Sequence, residues 1–138
     1  MLRLDDKWIW DFWLAQEGDH HHVFYLQAPR SLGDPDRRHH NATVGHAAST
    51  DLAHWEVLPD ALHAGVEGAW DDLATWTGSV IHHNNKWWCF YTGVQRAESG
   101  LRQRIGAAVS DDLVTWTRHP GNPLIELDPS TYEALDLT

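Results

Sequence analysis

Between Lys7 and Ile125 the chain alternates short apolar runs with brief polar breaks. KWIWDFWLA, HHVFYLQA, TVGHAAST and HWEVLPDAL form a first set, and ATWTGSVIHH, KWWCFYTGV, RIGAAVSD and TWTRHPGNPLI a second. Aromatic and β-branched residues dominate the runs, while GD, NN, SG and TDL turn formers fill the breaks. No window carries a helical period. The pattern predicts eight strands in two groups of four.

The two groups echo each other. Val44/Ile105, Gly45/Gly106, Ser49/Ser110, Asp51/Asp112, Leu52/Leu113, Trp55/Trp116 and Pro59/Pro120 match at one constant offset of 61 residues. Phe24-Tyr25 and Phe90-Tyr91 match at 66, so the first unit carries about five extra residues, assigned to the loop RSLGDPDRRHHN. A sandwich can also have eight strands, but it does not account for an internal echo. Four strands per unit, repeated, predict blades of a β-propeller: one over about 6–62 and one over about 70–126. Within the shared S-x-D-L-x-x-W piece, Asp51 and Asp112 are expected to accept backbone N–H groups at a tight turn and to be structural rather than catalytic. Trp55 and Trp116 are expected to start the outer strand and pack between sheets. The piece differs from the S-x-D-x-G-x-T-W box of sialidases, since position 53 is Ala and the tryptophan comes one residue early.

Composition narrows the function. Nine tryptophans suit flat apolar platforms of the kind sugars stack on, and equally a β-rich core. A net charge of -10 argues against nucleic acid and against anionic membranes as partners. Cys89 is the single cysteine, so no intramolecular disulfide is available. The opening MLRLDDKWIWDFW places two aspartates where a signal peptide needs an apolar run, and the expected location is cytoplasmic. His20-His21-His22, His39-His40 and His82-His83 invite a metal reading. Adjacent histidines in a strand point to opposite faces, however, and none has an acid at ligand spacing, so no metal and no cofactor is expected.

GHAASTDLAHWEVLPDAL, WTGSVI, FYTG with IGAAVSDDLVTW, and GNPLI occur in this order. They resemble the motifs of furanosidase propellers, most closely glycoside hydrolase family 32, with family 43 (arabinanases, xylosidases) sharing the fold. The resemblance implies an all-β, five-bladed β-propeller of which this chain covers about two four-stranded blades. It also implies a hydrolase of O-glycosidic bonds in furanosides, with a carbohydrate substrate. WIWDFWLA stands where the family carries W-[MI]-N-D-P-N-G, which places Asp11 on the catalytic aspartate: nucleophile in a retaining enzyme, base in an inverting one. Trp8 aligns with the motif's tryptophan. Trp76 and Thr77 match an aromatic wall and a hydroxyl partner of the sugar pocket, and His39 falls where the family has a loop tryptophan near the sugar.

The chain also departs from that pattern. Trp10 replaces the motif's asparagine, Phe12-Trp13-Leu14 replace Pro-Asn-Gly, and Gln27 comes one place late, on the opposite face of its strand. The resemblance further implies a second aspartate and a glutamate acid. Leu127-Asp128-Pro129 is read instead as a connection after the second blade, and the chain ends at ALDLT, about where a third blade begins. Five blades need on the order of 300 residues. The isolated chain is therefore expected to be inactive. Missing C-terminal blades or self-association are the expected complements, and a non-catalytic carbohydrate-binding module is the alternative reading.

Overall fold

The computed structural model describes residues 1–131; ALDLT lies outside them. Eight strands occur in chain order: β1 Lys7–Glu17, β2 His20–Pro29, β3 Thr43–Ser49, β4 Glu56–Leu62, β5 Ala74–His83, β6 Lys86–Val94, β7 Gln103–Ser110 and β8 Thr117–Arg118. They form two four-stranded antiparallel sheets, each a meander in sequence order. Among the described residues no helix is long and apolar enough to cross a membrane.

Local chemistry sets the connections. Asn84 and Asn85 both take left-handed φ, +51° and +57°, which suits the right-handed twist of a two-residue hairpin between β5 and β6. The S-x-D-L turns agree with expectation in both units. Ser49 Oγ accepts from the Asp51 and Leu52 N–H groups, and Asp51 Oδ1 accepts from Ala53 and His54 at 2.9 and 2.7 Å. Asp112 accepts from Val114 and Thr115 at 2.9 and 2.8 Å. Leu52 and Leu113 close the turns with φ of +60° and +63°. These contacts hold both carboxyls below the usual carboxylate range: for Asp51 chiefly the His54 side chain, for Asp112 chiefly the Thr115 N–H.

Two expectations need correction. The eighth strand is far shorter than TWTRHPGNPLI, because Pro120 and Pro123 lack the N–H a ladder requires. Only Thr117–Arg118 pair with β7, and the chain returns to it through a single Ile105–Ile125 bridge. The loop RSLGDPDRRHHN is not irregular throughout, since Arg30–Leu32 and Pro35–Asn41 form 3-10 turns, the second capped by Asp34.

The sheets pack face to face. Trp13, Phe24, Leu26, Val44 and Leu62 of the first sheet meet Trp87, Cys89, Tyr91, Ala108 and Leu113 of the second sheet and its turns. Trp116 reaches Phe24 edge-on at 5.7 Å, so of the two repeated tryptophans this one wedges sheet against sheet, and the expectation for Trp55 needs correction. Its counterpart Trp55 packs on the other face of the first sheet, with Leu2 and Leu4 over Val23, Tyr25 and Ala47. Close approach explains the matched glycines: a Cβ at Gly45 would lie 2.3 Å from the Tyr25 ring, and one at Gly106 2.5 Å from Trp70. The β4–β5 connection is tied down by Asp71, fully buried, whose Oδ2 accepts from Tyr91 Oη and Arg118 Nε, both at 2.8 Å.

Candidate active site

The innermost strand of each sheet carries a bulge, and the two bulges sit at equivalent positions. In β1 the register jumps between Trp10 and Phe12, leaving Asp11 as the extra residue. In β5 it jumps between Trp76 and Gly78, leaving Thr77. The extra residue of a bulge is unpaired and re-aimed relative to the strand. Asp11 adopts φ +36°, a left-handed value that costs a non-glycine residue on the order of 1–3 kcal/mol and is concentrated at functional sites.

The two bulges converge. Thr77 Oγ1 donates to Asp11 Oδ2 at 2.7 Å, across the junction between the sheets. Both residues are exposed, so the carboxylate is reachable by a solute. Asp11 Oδ1 has no hydrogen-bond partner among the described residues and stays free for attack or for holding a water.

Beside this pair lies an aromatic and basic rim. Trp76 Nε1 donates to the His39 carbonyl at 2.7 Å, and the His39 ring meets Trp10 and Trp76 edge-on at 5.7 and 6.4 Å. The Arg38 guanidinium lies 5.4 Å from the centre of the Trp10 ring. Asp11, Trp76, Thr77 and His39 are thus brought together, although His39 joins through its backbone and ring contacts. Trp8 stands apart, its ring covered by Arg30 at 5.8 Å. Gln27 is buried on the Tyr25 and Gly45 side, where it accepts from Lys7 and donates to Thr43.

Sequence reasoning missed the direct Thr77–Asp11 bond and the parts played by Trp10 and Arg38. A signal for the first was present: the offset of 66 that pairs the Phe-Tyr dipeptides also pairs Trp10 with Trp76 and Asp11 with Thr77. A groove of about 250 Å³ runs from Asp11 over Ile9, Phe12, Val23, Tyr25 and Trp55. Asp11 is its one charged wall. A sugar needs several polar partners, so this groove is a packing face whose edge touches the site. Among the described residues no three His, Cys, Asp or Glu side chains converge as a metal site. Cys89 is buried, which pushes its thiol up to about 12 and leaves it unreactive.

Comparison with known proteins places the chain in a family. The sequence model for the glycosyl hydrolases family 32 N-terminal domain matches residues 12–135, a span that begins one residue after Asp11. An acid beta-fructofuranosidase of Phaseolus vulgaris is 36% identical over 112 residues, covering 79% of this chain and 16% of that protein. The Arabidopsis thaliana beta-fructofuranosidase, insoluble isoenzyme CWINV5, is 37% identical over 96 residues, covering 67% of this chain and 16% of its own length. Among solved structures, an exo-inulinase from Aspergillus awamori superposes with a TM-score of 0.73 at 28% identity, over 96% of this chain and 29% of that one. Fructan 1-exohydrolase IIa from Cichorium intybus gives 0.69 at 27%, over 93% and 24%. The chain spans about 16% of the length of the curated relatives it matches. Its two sheets are two blades of a five-bladed propeller, and the chain belongs to glycosyl hydrolase family 32, as a part of that family's N-terminal domain.

Proposed function

We propose that this chain supplies the first two blades of a furanosidase that hydrolyses β-fructofuranosides, with Asp11 as its nucleophile. The observation that carries the reading is the Thr77–Asp11 bond between two equivalent bulges. It fixes one carboxylate oxygen and leaves the other open, at the junction where two inner strands meet. In a retaining reaction the free oxygen attacks the anomeric carbon while a second carboxyl, about 5–5.5 Å away, protonates the leaving oxygen. Water then releases the glycosyl group with that second carboxyl acting as base. Trp76 and His39 wall the site, and Thr77 orients the carboxylate.

The relatives support the substrate class. They include acid beta-fructofuranosidases and a fructan 1-exohydrolase, and a Bombyx mori GH32 beta-fructofuranosidase mutant is solved in complex with sucrose. The second carboxyl is assigned to the remaining blades, which also cover the outer faces of the two sheets. The 138 residues alone are accordingly proposed to turn over no furanoside at a useful rate, and to associate with copies of themselves only where those blades are missing.

Asp11→Asn in the complete enzyme tests the reading. Sucrose turnover is expected to fall by roughly 10⁴-fold, a loss typical of a residue that acts only in the transition state, while sucrose binding persists. Retained turnover would remove Asp11 from the mechanism. Sucrose binding in an enzyme with no turnover to lose would make the fold a carbohydrate-binding module.

A further inference from the structure

A polar cavity of about 350 Å³ lies apart from the Asp11 site, with His20, Thr50, His54, Trp55 and Glu56 in its lining. It opens at the end of the first sheet where β2 begins and β3 ends. The loop carrying His39 is at the opposite end of the same two strands.

The internal repeat shows what is particular about this end. Ser49 and Trp55 have Ser110 and Trp116 as counterparts, but Lys86, Asp111, Thr115 and Thr117 stand in place of His20, Thr50, His54 and Glu56. In the second sheet Lys86 pairs with Asp111, and Trp116 Nε1 donates to the Leu113 carbonyl at 3.1 Å. In the first sheet the Trp55 indole N–H, the Thr50 hydroxyl and the Glu56 carboxylate have no partner among the described residues. The two imidazoles are held in place, His20 Nδ1 by Asp19 at 2.8 Å and His54 Nδ1 by Asp51 at 2.6 Å. A carboxylate only accepts, so Nδ1 is the N–H of both rings and Nε2 is left free.

We infer that this cavity is a second carbohydrate site, which holds a neutral oligosaccharide without reacting with it. Trp55 is anchored on Val23, Tyr25 and Ala47, and its indole offers a plate for the C–H face of a sugar together with an N–H for a hydroxyl. The free ring nitrogens and Glu56 accept from sugar hydroxyls, and Thr50 both donates and accepts. The apolar groove beside Asp11, which Trp55 also lines, lacks this set of polar partners. Other ligands fit less well. No three metal-ligating side chains converge among the described residues, and Glu56, with Asp19 and Asp51 behind the histidines, repels an anion. Glu56 is the one carboxylate in the lining, so the carboxyl pair that glycoside hydrolysis requires is absent from it. The inference does not depend on the role of Asp11.

The test is titration of the full chain with nystose and with maltotetraose, followed by NMR of the indole N–H signals. The Trp55 signal is assigned by its disappearance in Trp55→Phe. It is expected to move saturably with at least one of the two oligosaccharides. His54→Ala/Glu56→Ala removes two exposed acceptors and is expected to weaken that binding about tenfold. A Trp55 signal that neither sugar moves overturns the inference, including the case in which only the Trp10 and Trp76 signals respond. Undiminished affinity in the double variant overturns it as well. So does Zn²⁺ moving the Trp55 signal at lower concentration than either sugar, which would make the cavity a metal site. Should the double variant fail to fold, His20→Ala at the exposed start of β2 replaces it: weaker binding is expected, and unchanged binding overturns the inference.

Discussion

The two sheets use the same parts in different surroundings. Leu52 and Leu113 have the same left-handed turn, yet Leu113 is fully buried and Leu52 is 54% exposed. Val23 and Tyr25 correspond to Cys89 and Tyr91, and Trp55 to Trp116. In the second sheet this set presses on the first sheet; in the first sheet it packs instead with Leu2 and Leu4 over Ala47. Phe24 and Phe90 are likewise equivalent, but Phe24 is sealed in the junction and Phe90 is only half-buried beside Trp88. The turn chemistry is therefore local, carried by Ser, Asp and Leu whatever packs nearby, whereas burial belongs to the neighbour. The divergence at the inner strands is chemical, with an acid at one bulge and a hydroxyl at the other.

Truncating the equivalent phenylalanines breaks the comparison most strongly. Phe24→Ala removes a ring stacked on His46 at 4.4 Å and touched edge-on by Trp116, and is expected to cost about 3–5 kcal/mol in urea unfolding. Phe90→Ala, on a face open to solvent, is expected to cost about 1 kcal/mol, because only a fraction of its area leaves water on folding. Equal losses would mean that the outer face of the second sheet is covered in solution.

A smaller effect separates the sheets by pH. His22 Nδ1 and His46 Nε2 share one hydrogen bond of 2.8 Å inside the first sheet's packed face. The corresponding positions in the second sheet are Trp88 and Ala107, which do not titrate in this range. Burial holds His46 down to about 4, with His22 adding to the effect and Asp112 opposing it; burial also lowers His22, against Glu17 and with His20. His46 Nδ1 is buried without a partner, so a proton there would face no acceptor. The unfolded chain takes up protons near 6.5 and the folded chain does not. The stability contributed by the neutral pair is thus complete above about 6.5 and is lost as pH falls toward about 4. The expected slope between pH 6.5 and 4.5 is up to about 1.4 kcal/mol per pH unit for each histidine that stays neutral. His46→Ala, which installs the residue of the second sheet, should lower stability and flatten that slope. An unchanged slope would place the titrating group elsewhere.

How much of this could be read from the chain depends on whether the information is local or lies across strands. The echo at 61 residues exposed the two sheets and the Asp51 and Asp112 turns, because a repeat constrains every copy to one solution. Asp11 was visible through its neighbours Trp8 and Ile9. The Thr77–Asp11 bond was not, since it depends on two bulges, and a bulge is a property of register. The histidines show the same limit. Adjacent histidines stand out along the chain, whereas the bonded pair His22–His46 joins β2 to β3 through a register in which Phe24 faces His46. In TWTRHPGNPLI the strand-forming Trp, Thr, Leu and Ile are overruled by two prolines that cannot join a ladder.

The smallest expected effect sharpens the comparison, because there the sheets should not differ. Asp51 and Asp112 bond the same backbone groups through the same geometry, and both sit at the surface. Asp51 has one additional partner, the His54 ring at 2.6 Å, where the second sheet has Thr115. Asp51→Ala and Asp112→Ala should therefore lower the melting temperature by closely similar small amounts near pH 8. The shared backbone contacts dominate both turns. Losses that differ at pH 8 would mean that the neighbouring sheet, packed against Leu113 but not Leu52, reaches into the turn itself.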